Sequence, residues 1–68
     1  MTHSQSLRMV YLREGLELLR KDEERLRYLL LHGDIQEAQR AQSGLARLKV
    51  RIDAALLEIK DLEAQQGT

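Results

Sequence analysis

Residues 31–37, Leu-His-Gly-Asp-Ile-Gln-Glu, decide the fold of this chain. Gly33 suits the left-handed position just past a helix end. Asp34, with Glu37 three residues later, suits the N-cap of a new helix. His32 in the last turn of the preceding helix would favour its C-terminus when charged. A link this short makes two helices lie back antiparallel.

The segment before the turn predicts a long amphipathic helix, helix 1, over about residues 5–32. Its seam residues alternate three- and four-residue steps, as in a coiled coil. The seam comprises Met9, Leu12, Leu16, Leu19, Glu23, Leu26 and Leu30. Glu23 is interpreted as a solvated edge residue, with contact to a partner's cation as the alternative. The N-cap stays open among Thr2, Ser4 and Ser6.

The segment after the turn predicts helix 2 over about residues 35–65. The same spacing runs through apolar residues only: Ala38, Ala41, Leu45, Leu48, Ile52, Ala55, Ile59 and Leu62. We therefore predict an all-α protein, an antiparallel two-helix hairpin that is coiled-coil-like, with its turn at 32–34. Residues 1–68 form one domain in this prediction. A β structure is disfavoured because period-2 alternation is absent.

Because the chain is small, we expect association with a partner to add to its stability. A core in a chain of this size supplies only about 3–5 kcal/mol. The sequence has no cysteine, so it cannot form disulfides or thiolate metal sites. No apolar run reaches the length of a membrane span. We expect a cytoplasmic protein that is not bound to a membrane.

Apolar residues outside the seam predict where such a partner binds. On helix 1, one group lies at a similar angle, roughly 115° from the seam at 100° per residue. On helix 2, a second group lies opposite the seam. The predicted partner-binding residues are Leu7, Tyr11, Leu18, Leu29, Val50 and Leu57. Exposed apolar stripes of this kind mark interaction surfaces.

No residue pattern predicts catalysis, a metal site or a cofactor. The chain has no nucleophile, phosphate-loop or zinc-protease motif, so we predict that it is not an enzyme. Eleven basic residues balance eleven acidic ones, which argues against nucleic-acid binding. The basic residues Arg40, Arg47, Lys49 and Arg51 are expected to spread around helix 2, and their alternative use is steering toward an acidic partner.

The stretch from the turn into helix 2 resembles a known family. Gly33-Asp34 followed by Gln39, Gln42, Leu48 and Ile52 is similar to the second half of the type III secretion needle co-chaperones, the YscE-like family. The resemblance covers residues 33–52, and helix 1 matches by pattern only.

The resemblance implies a two-helix hairpin of similar size with a virulence-associated role. Family members pair with a tetratricopeptide-like chaperone, and the two proteins together hold the needle subunit unpolymerised. It also implies that Gly33 and Asp34 form the structural turn, with Leu48 and Ile52 in the hairpin core. The alternative function is a homodimeric four-helix bundle with a regulatory or adaptor role.

Overall fold

Two helices form the whole of the described chain in the computed structural model, which describes residues 2–66. Helix α1 spans His3–His32 and helix α2 spans Ile35–Gln66. The hairpin measures 50 × 15 × 13 Å, so it is as long as one of its helices and as wide as two helices packed side by side. The predicted all-α antiparallel hairpin is confirmed. Met1, Gly67 and Thr68 of the predicted 1–68 domain lie outside the described residues.

Thr2 caps α1, which resolves the choice that the sequence left open. The Gln5 amide donates to Thr2 Oγ1 at 3.2 Å, and the Thr2 amide donates to Gln5 Oε1 at 3.0 Å. This reciprocal capping box satisfies two amides that have no partner within the helix. The cap lies earlier than Ser4 or Ser6, so α1 begins at His3 rather than near residue 5.

The turn follows the sequence reading at Asp34 and departs from it at Gly33. Asp34 Oδ1 accepts the Glu37 amide at 2.8 Å, and Glu37 Oε1 accepts the Asp34 amide at 3.4 Å. The expectation of a left-handed Gly33 is wrong, because its φ is −79° and its ψ is 169°. Its amide still donates to the Leu29 carbonyl at 2.8 Å, so the helix end needs no left-handed residue.

Close packing explains the glycine at position 33. A Cβ there would lie 2.6 Å from the Leu29 carbonyl oxygen and 2.8 Å from Glu37 Cβ. Both distances are below van der Waals contact, so any side chain would push the two helix ends apart. Gly33 therefore permits a tight reversal through its size, not through its φ angle.

The core lies along the predicted seam. Its most buried residues are Met9, Leu12, Ala41, Leu48, Ile52 and Ile59. Met9, Leu12 and Ile59 form one cluster near the open end, with Leu16 and Leu62 packed against it. Toward the turn, small residues replace large ones, and Ala41 is only 1% exposed. The helices are closest where the chain turns.

The seam of α1 departs from prediction near the turn. Leu30 was assigned to the seam and is exposed, whereas Leu29 was assigned to the outward stripe and is half-buried. The half-buried residues Leu26 and Leu29 are three residues apart, so the last step of the seam before the turn is three residues and not four. Leu29 therefore lies toward α2. The placement of Leu29 on an exposed stripe is therefore corrected.

Glu23, the charged member of the α1 seam, is half-buried rather than fully solvated. Arg27 Nε lies 3.8 Å from its carboxylate, one turn along the same helix. The side chain of Glu23 remains one-third exposed, so water still solvates the pair. The seam tolerates this charge because it lies at the edge of the interface.

Two ion pairs join the helices near the open end and fix their register. Arg8 binds the Glu58 carboxylate with three hydrogen bonds of 2.8–3.0 Å. Arg13 Nη2 lies 3.3 Å from Glu63 Oε1 on the opposite flank of the hairpin. The other ion pairs among the described residues lie within α1. Cross-links therefore concentrate at the end that no turn closes.

Candidate protein-interaction surface

Five of the six predicted partner-binding residues project into solvent. Their exposed fractions are 58% for Leu7, 66% for Tyr11, 64% for Leu18, 69% for Val50 and 61% for Leu57. Only Leu29 is half-buried. Burying one such side chain contributes roughly 1.5–3 kcal/mol. The hairpin therefore holds considerable apolar surface that its own fold does not use.

Tyr11 and Leu18 lie together at an apolar groove of about 330 Å³ along one flank of α1. Seven residues separate them, so they project from the same side of the helix, two turns apart. The groove is lined by Tyr11, Leu12, Glu14, Gly15, Leu16, Leu18, Leu19 and Ala55. Gly15 and Ala55 make it deep, because neither has a side chain long enough to fill it. Leu7 lies outside this groove.

Tyr11 is held at the rim of the groove by Arg8. The Arg8 guanidinium carbon lies 5.5 Å from the centre of the Tyr11 ring, within the range of a cation–π contact. The same guanidinium is anchored by Glu58 on α2. A contact between helices therefore restrains one wall of the groove before any partner binds.

Gly15 and Gly44 have different surroundings. At Gly15, no atom beyond the local helix backbone and adjoining residues lies within 4 Å of the position a Cβ would take. At Gly44, a Cβ would lie 3.2 Å from Leu26 Cδ1, so Leu26 already fills that space. Gly44 serves the packing of the two helices, and Gly15 leaves a space that opens to solvent.

A second depression, of about 600 Å³, lies on α2 beside Gly44. It is lined by Gln36, Gln39, Arg40, Ser43, Gly44 and Arg47. Arg40 and Arg47 therefore share one side of α2, whereas Lys49 lines another depression with Asp53, so the expected spread of the basic residues is corrected only for the arginines. Their seven-residue separation in the sequence could have predicted that they share a side of the helix. Neither forms an ion pair with another residue in 2–66.

The groove and the Gly44 rim of the depression lie on one side of the hairpin. The Arg8–Glu58 pair joins the helices on that side, and steps of seven residues preserve the side of each helix. Ala55 lines the groove together with Gly15, so these two residues are level, and Arg51 lies about one helical turn closer to the turn of the hairpin. Gly44 lies one further heptad toward the turn. We call this side, defined by Arg8, Gly15, Gly44, Arg51 and Glu58, the glycine face.

Val50 and Leu57 lie away from the glycine face. They sit seven residues apart on α2, on the side of the helix opposite the buried residues Leu48, Ile52 and Ile59. Neither lines the groove around Gly15. The structure therefore separates the predicted binding residues into an α1 group and an α2 group that face different directions.

The turn end carries exposed apolar residues that the sequence interpretation omitted. Leu31 and Ile35 are each 78% exposed, and Tyr28 is 64% exposed with its ring 4.7 Å from the His32 ring. The four consecutive apolar residues Tyr28 to Leu31 could have predicted this exposure from the sequence. Four consecutive apolar residues surround a helix, so some of them must face solvent.

The polar and charged side chains of the described chain are not buried. Within residues 2–66, no three His, Asp or Glu side chains are positioned to hold a metal ion. No side-chain polar atom in that range is both buried and unpartnered. Neither α1 nor α2 is apolar enough over a sufficient length to cross a bilayer.

No protein-family profile, no curated protein and no solved structure gives a significant match to this chain.

Proposed function

We propose that the hairpin is a protein-binding co-chaperone that resembles the type III secretion needle co-chaperones. In this role it pairs with a tetratricopeptide-like chaperone, and together they hold the needle subunit unpolymerised in the cytoplasm. The observation that carries the proposal is the exposure of Leu7, Tyr11, Leu18, Val50 and Leu57 on a hairpin that folds without burying them.

Helical-repeat proteins suit this surface for a physical reason. Their stacked helices form extended concave surfaces that receive a helical ligand along its length. A hairpin 50 Å long and about 15 Å wide has the shape of such a ligand. Its apolar residues point in more than one direction, which suits a protein enclosed by a concave partner.

The test is co-expression with the neighbouring small open reading frames, followed by affinity capture through a tag on the hairpin. We expect a helical-repeat protein and a small filament subunit to be recovered with the wild-type hairpin. The test variant is Leu57→Asp, which changes an exposed residue. It should weaken recovery of the partner while the hairpin remains helical. Recovery of the free hairpin alone would count against the co-chaperone role.

The alternative is a homodimeric four-helix bundle with a regulatory or adaptor role. The outer side of α2 favours it, because Val50 is 69% and Leu57 is 61% exposed there. Two copies that packed these residues together would bury them in a symmetric interface. Light scattering at tens of micromolar distinguishes the two functions, since a stable monomer excludes the homodimer.

A further inference from the structure

Gly15 carries an energetic cost that the hairpin does not explain. A glycine inside a helix destabilises it relative to alanine. Gly33 and Gly44 are accounted for by atoms that a Cβ would contact, but the space beside Gly15 is open. The surrounding wall is apolar, with Tyr11 and Leu18 exposed on it. The shape is that of a socket for one bulky apolar side chain.

Basic residues of α2 follow this socket on the side toward the turn. Arg51 lies one turn of α2 beyond Ala55, which lines the groove, and Arg47 and Arg40 follow toward the turn. No acidic residue occurs between Ala38 and Ile52. None of the three arginines forms an ion pair with another described residue. Two acidic residues lie near the socket: Glu58 is paired with Arg8, and Glu14 lines the groove.

From this geometry we propose that the glycine face binds an acidic amphipathic helix of a different protein. The helix inserts a bulky apolar residue over Gly15 and directs carboxylates toward Arg51, Arg47 and Arg40. At 1.5 Å per residue, the distance along the axis from Ala55, beside Gly15, to Arg40 is about 22 Å, or four helical turns. This inference rests on the proposed protein-binding function and specifies the chemistry of the bound segment.

A second copy of the chain is a poor occupant for this face. In a twofold dimer whose axis passes near the arginine row, the row of one copy would approach that of the other. Like charges brought together in an interface disfavour association. An acidic helix instead neutralises Arg40 and Arg47 while its apolar residue enters the groove. Charge complementarity therefore selects a heterologous partner.

The test uses two designed helical peptides, each about three heptads long, with leucine at the apolar seam positions. One carries glutamate beside the seam and the other carries lysine. Binding to the full-length hairpin is followed by fluorescence anisotropy. We expect the acidic peptide to bind at least about tenfold more tightly than the basic one, with the preference weakened by salt.

Two variants locate the binding on the glycine face. Gly15→Met fills the socket, so it should lower acidic-peptide affinity about tenfold while raising the thermal midpoint. Arg47→Glu should lower that affinity by a similar factor, about tenfold. Its matched control is Lys60→Glu, which makes the same charge change at an exposed residue outside the groove and the depression. Lys60→Glu should leave the affinity almost unchanged.

Several outcomes overturn the inference. They are absent binding of both peptides, equal or tighter binding of the basic peptide, and equal effects of Arg47→Glu and Lys60→Glu. An unchanged affinity in Gly15→Met also overturns it. If the wild type sediments as a dimer and Gly15→Met as a monomer, a second copy occupies the socket. If a single-stranded oligouridine displaces the acidic peptide and Arg47→Glu abolishes its binding, the face binds RNA.

The result separates this inference from the proposed function. If the acidic peptide binds as expected but co-expression recovers no helical-repeat protein, only the co-chaperone role fails. If co-expression recovers the complex and its formation is unaffected by Gly15→Met and Arg47→Glu, only the glycine-face inference fails.

Discussion

The buried seam and the outward apolar side chains use similar residues for different purposes. Ile52 and Leu57 lie five residues apart on α2, yet their exposed fractions are 9% and 61%. Burial between the helices makes Ile52 part of the fold. Leu57 contributes nothing comparable to the isolated hairpin. The difference teaches that position around the helix, not residue type, separates folding from binding in a chain this small.

The largest effect is expected from placing a charge in the seam. Ile52→Asp buries an unpaired carboxylate, which should cost more than the roughly 3–5 kcal/mol that a core of this size supplies. Circular dichroism should show an unfolded chain at 25 °C. Leu57→Asp is the control, and its melting curve should stay close to that of the wild type. Equal unfolding of both variants would contradict the distinction between the buried seam and the outward apolar side chains.

A smaller loss of stability is expected from a change at the turn, which aligns the seam of α1 with the seam of α2. Gly33→Ala places a Cβ against the Leu29 carbonyl and Glu37, so overpacking should destabilise the hairpin by about 1–3 kcal/mol. Urea unfolding followed by circular dichroism measures this cost. A stability equal to the wild type would show that the turn relaxes freely and that the close contact does not hold the seams together.

Alanine substitutions at Gly15 and Gly44 compare an open position and a packed position on the glycine face. Gly15→Ala should stabilise the hairpin by about 1 kcal/mol, because the added methyl group meets nothing. Gly44→Ala should gain less, since its methyl group would press on Leu26 at 3.2 Å. Thermal melts of the two variants measure the difference. A larger gain at Gly44 than at Gly15 would contradict the assignment of the open space to Gly15.

The smallest effect is expected from the exposed ion pair between the helices. Arg8 and Glu58 side chains are 49% and 44% exposed, and surface pairs typically contribute roughly 0.2–1 kcal/mol. A double-mutant cycle with Arg8→Gln and Glu58→Gln should give a coupling in this range that falls with added salt. A coupling well above it would mean that this pair, rather than the seam alone, holds the open end.

The sequence predicted the fold well because local signals agreed with each other. The spacing of apolar residues in α2 and the Asp34–Glu37 cap both favoured a helix that begins after Gly33. Periodicity failed near the turn, where the buried side of α1 advances by three residues from Leu26 to Leu29 and leaves Leu30 exposed. It also could not show that Gly33 is extended, because a close contact and a left-handed turn both select glycine.

The candidate surface was predicted only in part. Exposure of Tyr11, Leu18, Val50 and Leu57 followed from their angle around each helix. The socket at Gly15 did not, because its depth depends on Ala55 of the other helix and therefore on register. That register became visible only through interhelical contacts such as Arg8–Glu58.

The most direct test of the central claim is the amount of partner that co-purifies with folded Leu18→Asp. Leu18 is 64% exposed, lines the groove and lies outside the seam. We expect this variant to be as helical as the wild type and to recover much less helical-repeat partner in co-expression. Recovery equal to that of the wild type, from an equally folded variant, would contradict the claim that this outward surface binds the partner.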